Sequence, residues 1–194
     1  MMTGAGFDGA TNSIKTVENY DPAGTGMPWT TLGVMATTRA EHRAVMLPSG
    51  NALVTAGYDA AFNALKSNSL YNAVSRAWSA AADMVTARSG HEATLLPDGR
   101  VLITGGADGA QLKSCEMYSY VTNAWGAVPD MTGIRAGHQA VVLRSGLVLV
   151  CGGFGAGWNA VATCELYDPA TNTWAATGAL NEARGAHRAV ILPS

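Results

Sequence analysis

Residues 135–153 read RAGHQAVVLRSGLVLVCGG, and variants of this stretch recur at 39–57 (RAEHRAVMLPSGNALVTAG) and 88–106 (RSGHEATLLPDGRVLITGG). A fourth copy, RGAHRAVILPS, begins at Arg184 and reaches Ser194. Five columns of residues hold register across these units. Trp29, Trp78, Trp125 and Trp174 are separated by 49, 47 and 49 residues, and so are His42, His91, His138 and His187. Arg39, Arg88, Arg135 and Arg184 stand three residues before each histidine. Gly6, Gly57, Gly106 and Gly153 form the fourth column, and Tyr20, Tyr71, Tyr118 and Tyr167 the fifth. A fixed period near 50 residues marks a repeat architecture, because each unit must bury its face on the next.

Within a unit the apolar runs are short. HQAVVL is followed by a turn of the P-S-G, P-D-G or R-S-G kind, then by a run such as VLITGG ending in glycine. After a loop come a third run such as TCELYD and, beyond PATN, a fourth that carries the tryptophan. Runs of four to seven residues punctuated by Gly, Pro, Asn and Asp, with no 3.6-residue stripe, predict an all-β chain. Four strands per unit predict one propeller blade per unit.

The glycine pairs Gly105-Gly106 and Gly152-Gly153, each followed by a Tyr and a Trp with six residues between them (Tyr118 and Trp125, Tyr167 and Trp174), resemble the kelch repeat over essentially the whole chain. Units one and two depart modestly, with Ala5-Gly6 and Ala56-Gly57 in place of the pair. The resemblance implies a kelch-type β-propeller in which the strand starting at each histidine is innermost and the tryptophan strand outermost. The expected organisation is a single domain, 1–194, of four repeats with blade boundaries near 1–47, 48–96, 97–143 and 144–192.

Counting back from Gly6, Met1 aligns with Ala52, and Pro193-Ser194 align with the first turn. The run after His187 is therefore expected to complete the first blade. A second copy could receive it, giving an eight-bladed homodimer; the chain could close on itself as a four-bladed ring; or the chain could be part of a longer propeller. The dimer ranks first, because the wedge of a kelch blade is nearer to eight-fold than to four-fold closure.

Composition narrows the function classes. A formal charge of -2 without a basic cluster gives no footprint for nucleic acid. No apolar run reaches the ~20 residues of a bilayer span, and MMTGAGFDG has no signal-peptide character, which leaves the compartment open. Cys115, Cys151 and Cys164 lie in apolar runs without a C-x-x-C motif, so small buried residues are expected rather than zinc ligands. No cofactor and no metal site is predicted.

The expected function is a non-enzymatic binding module that takes a protein segment or a glycan on its loop-rich face. Candidate residues are sought where the repeats differ. Five residues after the repeat glycine stand Thr11, Phe62, Gln111 and Trp158, and the aromatics are followed by Asn63 and Asn159. Phe62 and Trp158 suit stacking on a sugar or anchoring a peptide. Arg39, Arg88, Arg135 and Arg184 are further candidates, for carboxylate or phosphate. A structural role for the Arg and His columns is the competing expectation. Arg43, Glu92, Gln139 and Arg188, next to the histidines, are expected to line the mouth. Glu18, Glu116 and Glu165 share a column in which Ser69 is the exception. Some kelch propellers are copper-radical oxidases, which keeps an oxidase as an alternative by resemblance only; a purely structural scaffold is the other.

Overall fold

The computed structural model describes residues 2–7, 13–22 and 28–192, with the backbone alone for 2–7 and for Ser13. The chain is an arc of four antiparallel sheets. Blade one consists of β1 (Met2–Phe7), β2 (Ser13–Tyr20) and β3 (Trp29–Val34). Blade two follows as β4 (Arg43–Met46), β5 (Ala52–Thr55), β6 (Asn68–Asn72) and β7 (Ala77–Ala81). Blade three is β8 (Glu92–Leu95), β9 (Val101–Thr104), β12 (Cys115–Ser119) and β13 (Ala124–Val128), with the small hairpin β10 (Ala107–Asp108) and β11 (Ala110–Gln111) in its second loop. Blade four is β14 (Gln139–Val142), β15 (Val148–Cys151), β16 (Cys164–Asp168) and β17 (Thr173–Thr177). The sheets of blades two to four run 43–81, 92–128 and 139–177, so the repeat boundaries near 47, 96 and 143 fall inside sheets. They mark the sequence repeat but cut each sheet between its first and second strands, because Arg43–Met46 pairs with Ala52–Thr55.

Burial explains the strand order. β5 and β9 are buried at every position, whereas β7, β13 and β17 are mostly exposed. The innermost strands β4, β8 and β14 lie side by side, with β8 in the middle. Each core cluster is an interface between consecutive blades: Val17, Met35 and Val54 between one and two, Leu53, Met84 and Ile103 between two and three, and Leu102, Met131 and Val150 between three and four. Tyr and Trp sit opposite each other on adjacent strands at ring separations of 5.0–5.1 Å. Each indole N–H of Trp78, Trp125 and Trp174 then donates to a carbonyl of the preceding blade (Leu32, Ala82 and Pro129). The aromatic pair thus buries apolar area and fixes blade order with one directional bond.

The glycine pairs admit the neighbouring backbone. A Cβ at Gly106 would lie 2.7 Å from the Ser89 carbonyl, and one at Gly153 would lie 2.8 Å from that of Ala136. Both glycines also have φ near +100°, which disfavours other residues.

The fourth strand expected for blade one is not paired within the chain. Blade one is a three-stranded sheet, and 187–192 form no ladder with β1. That segment lies instead beside blade four, where Ala189 N–H donates to Gln139 Oε1 at 3.4 Å and Arg144 Nη2 to the Leu192 carbonyl at 3.3 Å. Self-closure into a four-bladed ring is therefore not the arrangement of the single chain. Met1, Asp8, Thr11, Pro193 and Ser194 lie outside the described residues.

Candidate functional site

The arginine column enters the second-strand ends of the sheets rather than an axial opening. Arg39, Arg88 and Arg135 are 1%, 0% and 1% exposed. Arg88 donates to the Gly105 and Ser114 carbonyls and pairs with Glu116 at 2.9 Å. Arg135 donates to the Gly152 and Thr163 carbonyls and pairs with Glu165 at 2.8 Å. Arg39 makes the same two backbone contacts, to Ala56 and Ser67, but Ser69 stands where the other blades have glutamate. Burial alone draws the Arg39 pKa down to about 10. Arg184, by contrast, is exposed and pairs loosely with Glu182 at 3.4 Å. Arg39, Arg88 and Arg135 therefore do not form an open ring of guanidiniums, and Arg184 lies apart from them on the surface. The first three clamp strands within the blades, because each guanidinium bridges two carbonyls on neighbouring segments, of which the Ser67, Ser114 and Thr163 carbonyls also accept the N–H of Ala56, Gly105 and Gly152.

The histidines are also internal. His91 and His138 are fully buried, and their Nε2 atoms meet the Thr55 and Thr104 hydroxyls of the preceding blade at 2.8 and 2.7 Å. Desolvation holds the His91 pKa well below the usual imidazole range and that of His138 down to about 3. Both are neutral bolts between blades. Among the described residues no cluster of His, Cys, Asp or Glu has metal-site geometry.

The column after the histidines does reach the axis, where it largely satisfies itself. Glu92 Oε1 accepts from Arg43 Nε at 3.0 Å, from Arg43 Nη2 at 2.7 Å and from Gln139 Nε2 at 2.9 Å. Arg188 remains exposed.

The loops between second and third strands form the exposed face. Phe62 is 69% exposed and Trp158 is 55% exposed. Both border one concavity of about 420 Å³, floored by Ala64, Ala87, Ser89 and Ala107 and flanked by Asn63, Asp108 and Gly109. Trp158 also borders a second concavity of about 240 Å³, beside Glu41, Arg43 and Arg188. The aromatics are held by their own loops. Asp59 accepts from the backbone N–H groups of Ala61 and Asn63 at 2.8 and 2.9 Å, and these bonds draw its pKa down. Phe62 lies 5.4 Å from Tyr58, and Trp158 lies 6.4 Å from Phe154, ring centre to ring centre.

Asn63 lines the groove, but its amide donates to Asp59 at 3.2 Å. Asn159 is exposed, and its amide donates to the Ala156 carbonyl at 3.0 Å. Both amides therefore serve loop geometry. Gln111, in the small hairpin of blade three, is only 9% exposed. That hairpin carries no aromatic, so blade three forms a low saddle between two aromatic loops. Tyr58 and Phe154 stand one residue beyond the repeat glycine, in a column that reads Phe, Tyr, Ala, Phe in the sequence; Ala107, the one exception, could have flagged them.

Residues 87–132 and 135–176 match the kelch motif. Two consecutive units of the chain carry the kelch motif. The two matched units are blade three and most of blade four with their leading loops, and the kelch columns of Arg, His, Gly, Tyr and Trp extend through the other units. No curated protein matches the chain significantly. Among solved structures, that of YjhT superposes with a TM-score of 0.76 at 15% identity, covering 94% of this chain and 68% of the other. At that identity the likeness speaks to the fold alone.

Proposed function

We propose that this kelch arc is a non-catalytic binding module whose groove between Phe62 and Trp158 takes a protein segment or a glycan residue. The observation that carries this reading is the backbone under the two aromatics. Phe62 has φ of 63° and Trp158 of 61°, a left-handed conformation that costs a bulky residue on the order of 1 kcal/mol. Glycine would relieve that strain at either site. Large side chains held there, exposed and facing one groove, suit stacking on a ligand ring. The kelch fold supports an interaction or scaffold role in general. Binding of the purified protein to arrayed glycans and peptides, followed by titration, tests it. Trp158→Ala should lose ~2 kcal/mol of affinity with an unchanged melting temperature. Equal binding by the variant would leave a scaffold as the better reading. The oxidase alternative is disfavoured by geometry, since the Tyr118 and Tyr167 hydroxyls are spent on Asn123 and Asn172 at 2.9 and 2.8 Å.

In the same reading the arc is half of an eight-bladed ring made with a second copy of the chain. Its two ends are complementary. Among the described residues blade one has three strands and no innermost one, and the segment 187–192, with exposed Val190, Ile191 and Leu192, joins no sheet. Arg184 and Glu18, exposed at opposite ends, occupy the columns that form buried ion pairs in blades three and four. Light scattering behind a sizing column should give twice the chain's 20.0 kDa. Single charge reversals, Arg184→Glu or Glu18→Arg, should halve that mass, and the double reversal should restore it. The unit mass for the unmodified chain would overturn the dimer.

A further inference from the structure

In blades three and four a glutamate carboxylate fills one defined cradle. Glu116 accepts from the Val85 N–H at 2.8 Å, the Thr86 N–H at 3.1 Å and Arg88 Nη2 at 2.9 Å. Glu165 accepts from the Thr132 N–H at 2.7 Å, the Gly133 N–H at 3.3 Å and Arg135 Nη2 at 2.8 Å. The Thr132 hydroxyl adds a fourth bond, at 2.7 Å. Two successive backbone donors and one guanidinium converge on one planar anion in each case. That is a charge-assisted arrangement, stronger than neutral hydrogen bonds.

Blade two builds the same cradle without the carboxylate. Ala36 and Thr37 stand where Val85 and Thr86 stand in blade three, and among the described residues their N–H groups meet no acceptor. Arg39 is 1% exposed, and its Nη2 reaches only the Ser67 and Ser69 hydroxyls, at 3.4 and 3.5 Å. In front of it lies a cavity of about 320 Å³ lined by Ala36, Thr37, Ser67, Ser69, Trp78 and Asp83. A buried cation short of its counter-charge is a costly arrangement that an anion relieves, and the two amide donors beside it have no acceptor among the described residues.

We infer that blade two holds a carboxylate-binding site formed by Arg39 Nη2 and the backbone N–H groups of Ala36 and Thr37. The ligand is a planar monoanion placed as the Glu116 carboxylate is placed in blade three. Trp78 gives the cavity an apolar wall, which suits an organic acid. Asp83 lies at the exposed rim, where solvent screens its charge, and it disfavours anions of higher charge. The site is independent of the Phe62–Trp158 groove and of ring closure, so neither reading stands or falls with it.

The carboxylate can come from a small free acid or from an acidic side chain of a peptide, and the test separates the two. Melting temperature is measured in sodium acetate against sodium chloride at equal ionic strength. Acetate at tenfold its dissociation constant should raise the melting temperature by ~3 °C. Ser69→Glu, which supplies the carboxylate from within, should abolish the acetate response. Glu116→Ser, the reverse change in blade three, should add a second response and keeps the test decisive if Ser69→Glu does not fold. A capped Gly-Glu-Gly peptide that binds more tightly than acetate, with no binding by its Gln analogue, would point to an acidic side chain. Acetate binding alone would point to a free acid. No acetate response in the unmodified protein, or equal responses with and without Ser69→Glu, would overturn the site.

Discussion

Blades two and three have the same strand order, the same Tyr–Trp pair and the same buried arginine, yet they differ at one position that sets their electrostatics. In blade three Glu116 neutralises Arg88 and ties down the linker at Val85 and Thr86. In blade two Ser69 leaves Arg39 to be desolvated without a carboxylate. The difference separates two jobs that the column combines. Binding strand carbonyls is common to all three buried arginines, whereas the ion pair is an addition that the fold can lack.

The largest test of that separation is Arg135→Met in blade four. It removes the cation and leaves Glu165 buried, so it should cost ~3–5 kcal/mol of unfolding free energy. Urea denaturation followed by tryptophan fluorescence reads the loss; a cost under 1 kcal/mol would mean that the strand carbonyls and the carboxylate do not depend on the guanidinium. Glu116→Ser is expected to cost less, about 2 kcal/mol, because it converts blade three into a second blade two, which the fold demonstrably tolerates. Recovery of part of that loss in acetate would sharpen the comparison, since the cradle would then be shown to act apart from its own glutamate.

Acidification is the mildest probe. His91 and His138 have folded pKa values below the unfolded ~6.5, so between the two values the unfolded chain binds the extra protons. Stability contributed by each neutral imidazole is complete above pH ~6.5 and falls by about 1.4 kcal/mol per pH unit below it. For His138 the fall ends near its folded value of about 3. Glu165 acts in the same direction. Burial pushes its pKa up, but bonds from the Thr132 N–H and hydroxyl and from Arg135 outweigh this and hold it low, so its contribution is lost as the pH falls through that lowered value. Unfolding midpoints measured from pH 7 to 4 should fall continuously. A flat profile above pH 5 would mean that the histidines are hydrated and not bolts between blades.

The architecture was legible because its determinants are periodic. Columns of Gly, Tyr and Trp report the places where one blade touches the next, and the contact is the same each time. Phe62 and Trp158 were legible for the opposite reason, as large side chains outside the period. Arg39, Arg88 and Arg135 were ambiguous because a strict column fits an internal clamp and a ring of ligands equally well; depth, which decides between them, is a property of the assembled sheets. Ser69 stood out as the exception in a glutamate column. Its meaning needed the positions of Ala36 and Thr37, on a linker 33 and 32 residues before it in the sequence. The pairing of 187–192 depends on the wedge between blades, a quantity that no local pattern encodes.

The loops that carry the arginines and histidines also share a backbone feature. Gly90 N–H donates to the Glu41 carbonyl at 3.2 Å, Gly137 N–H to that of Gly90 at 2.7 Å, and Ala186 N–H to that of Gly137 at 2.8 Å. Gly90 and Gly137 therefore each present one donor backward and one acceptor forward, at the same place in their units, whatever the side chains. Such a coupling is indifferent to number. A gene segment encoding one whole unit can be duplicated or lost and every surviving junction keeps its bond, so blade count can change in single steps without a new contact having to evolve.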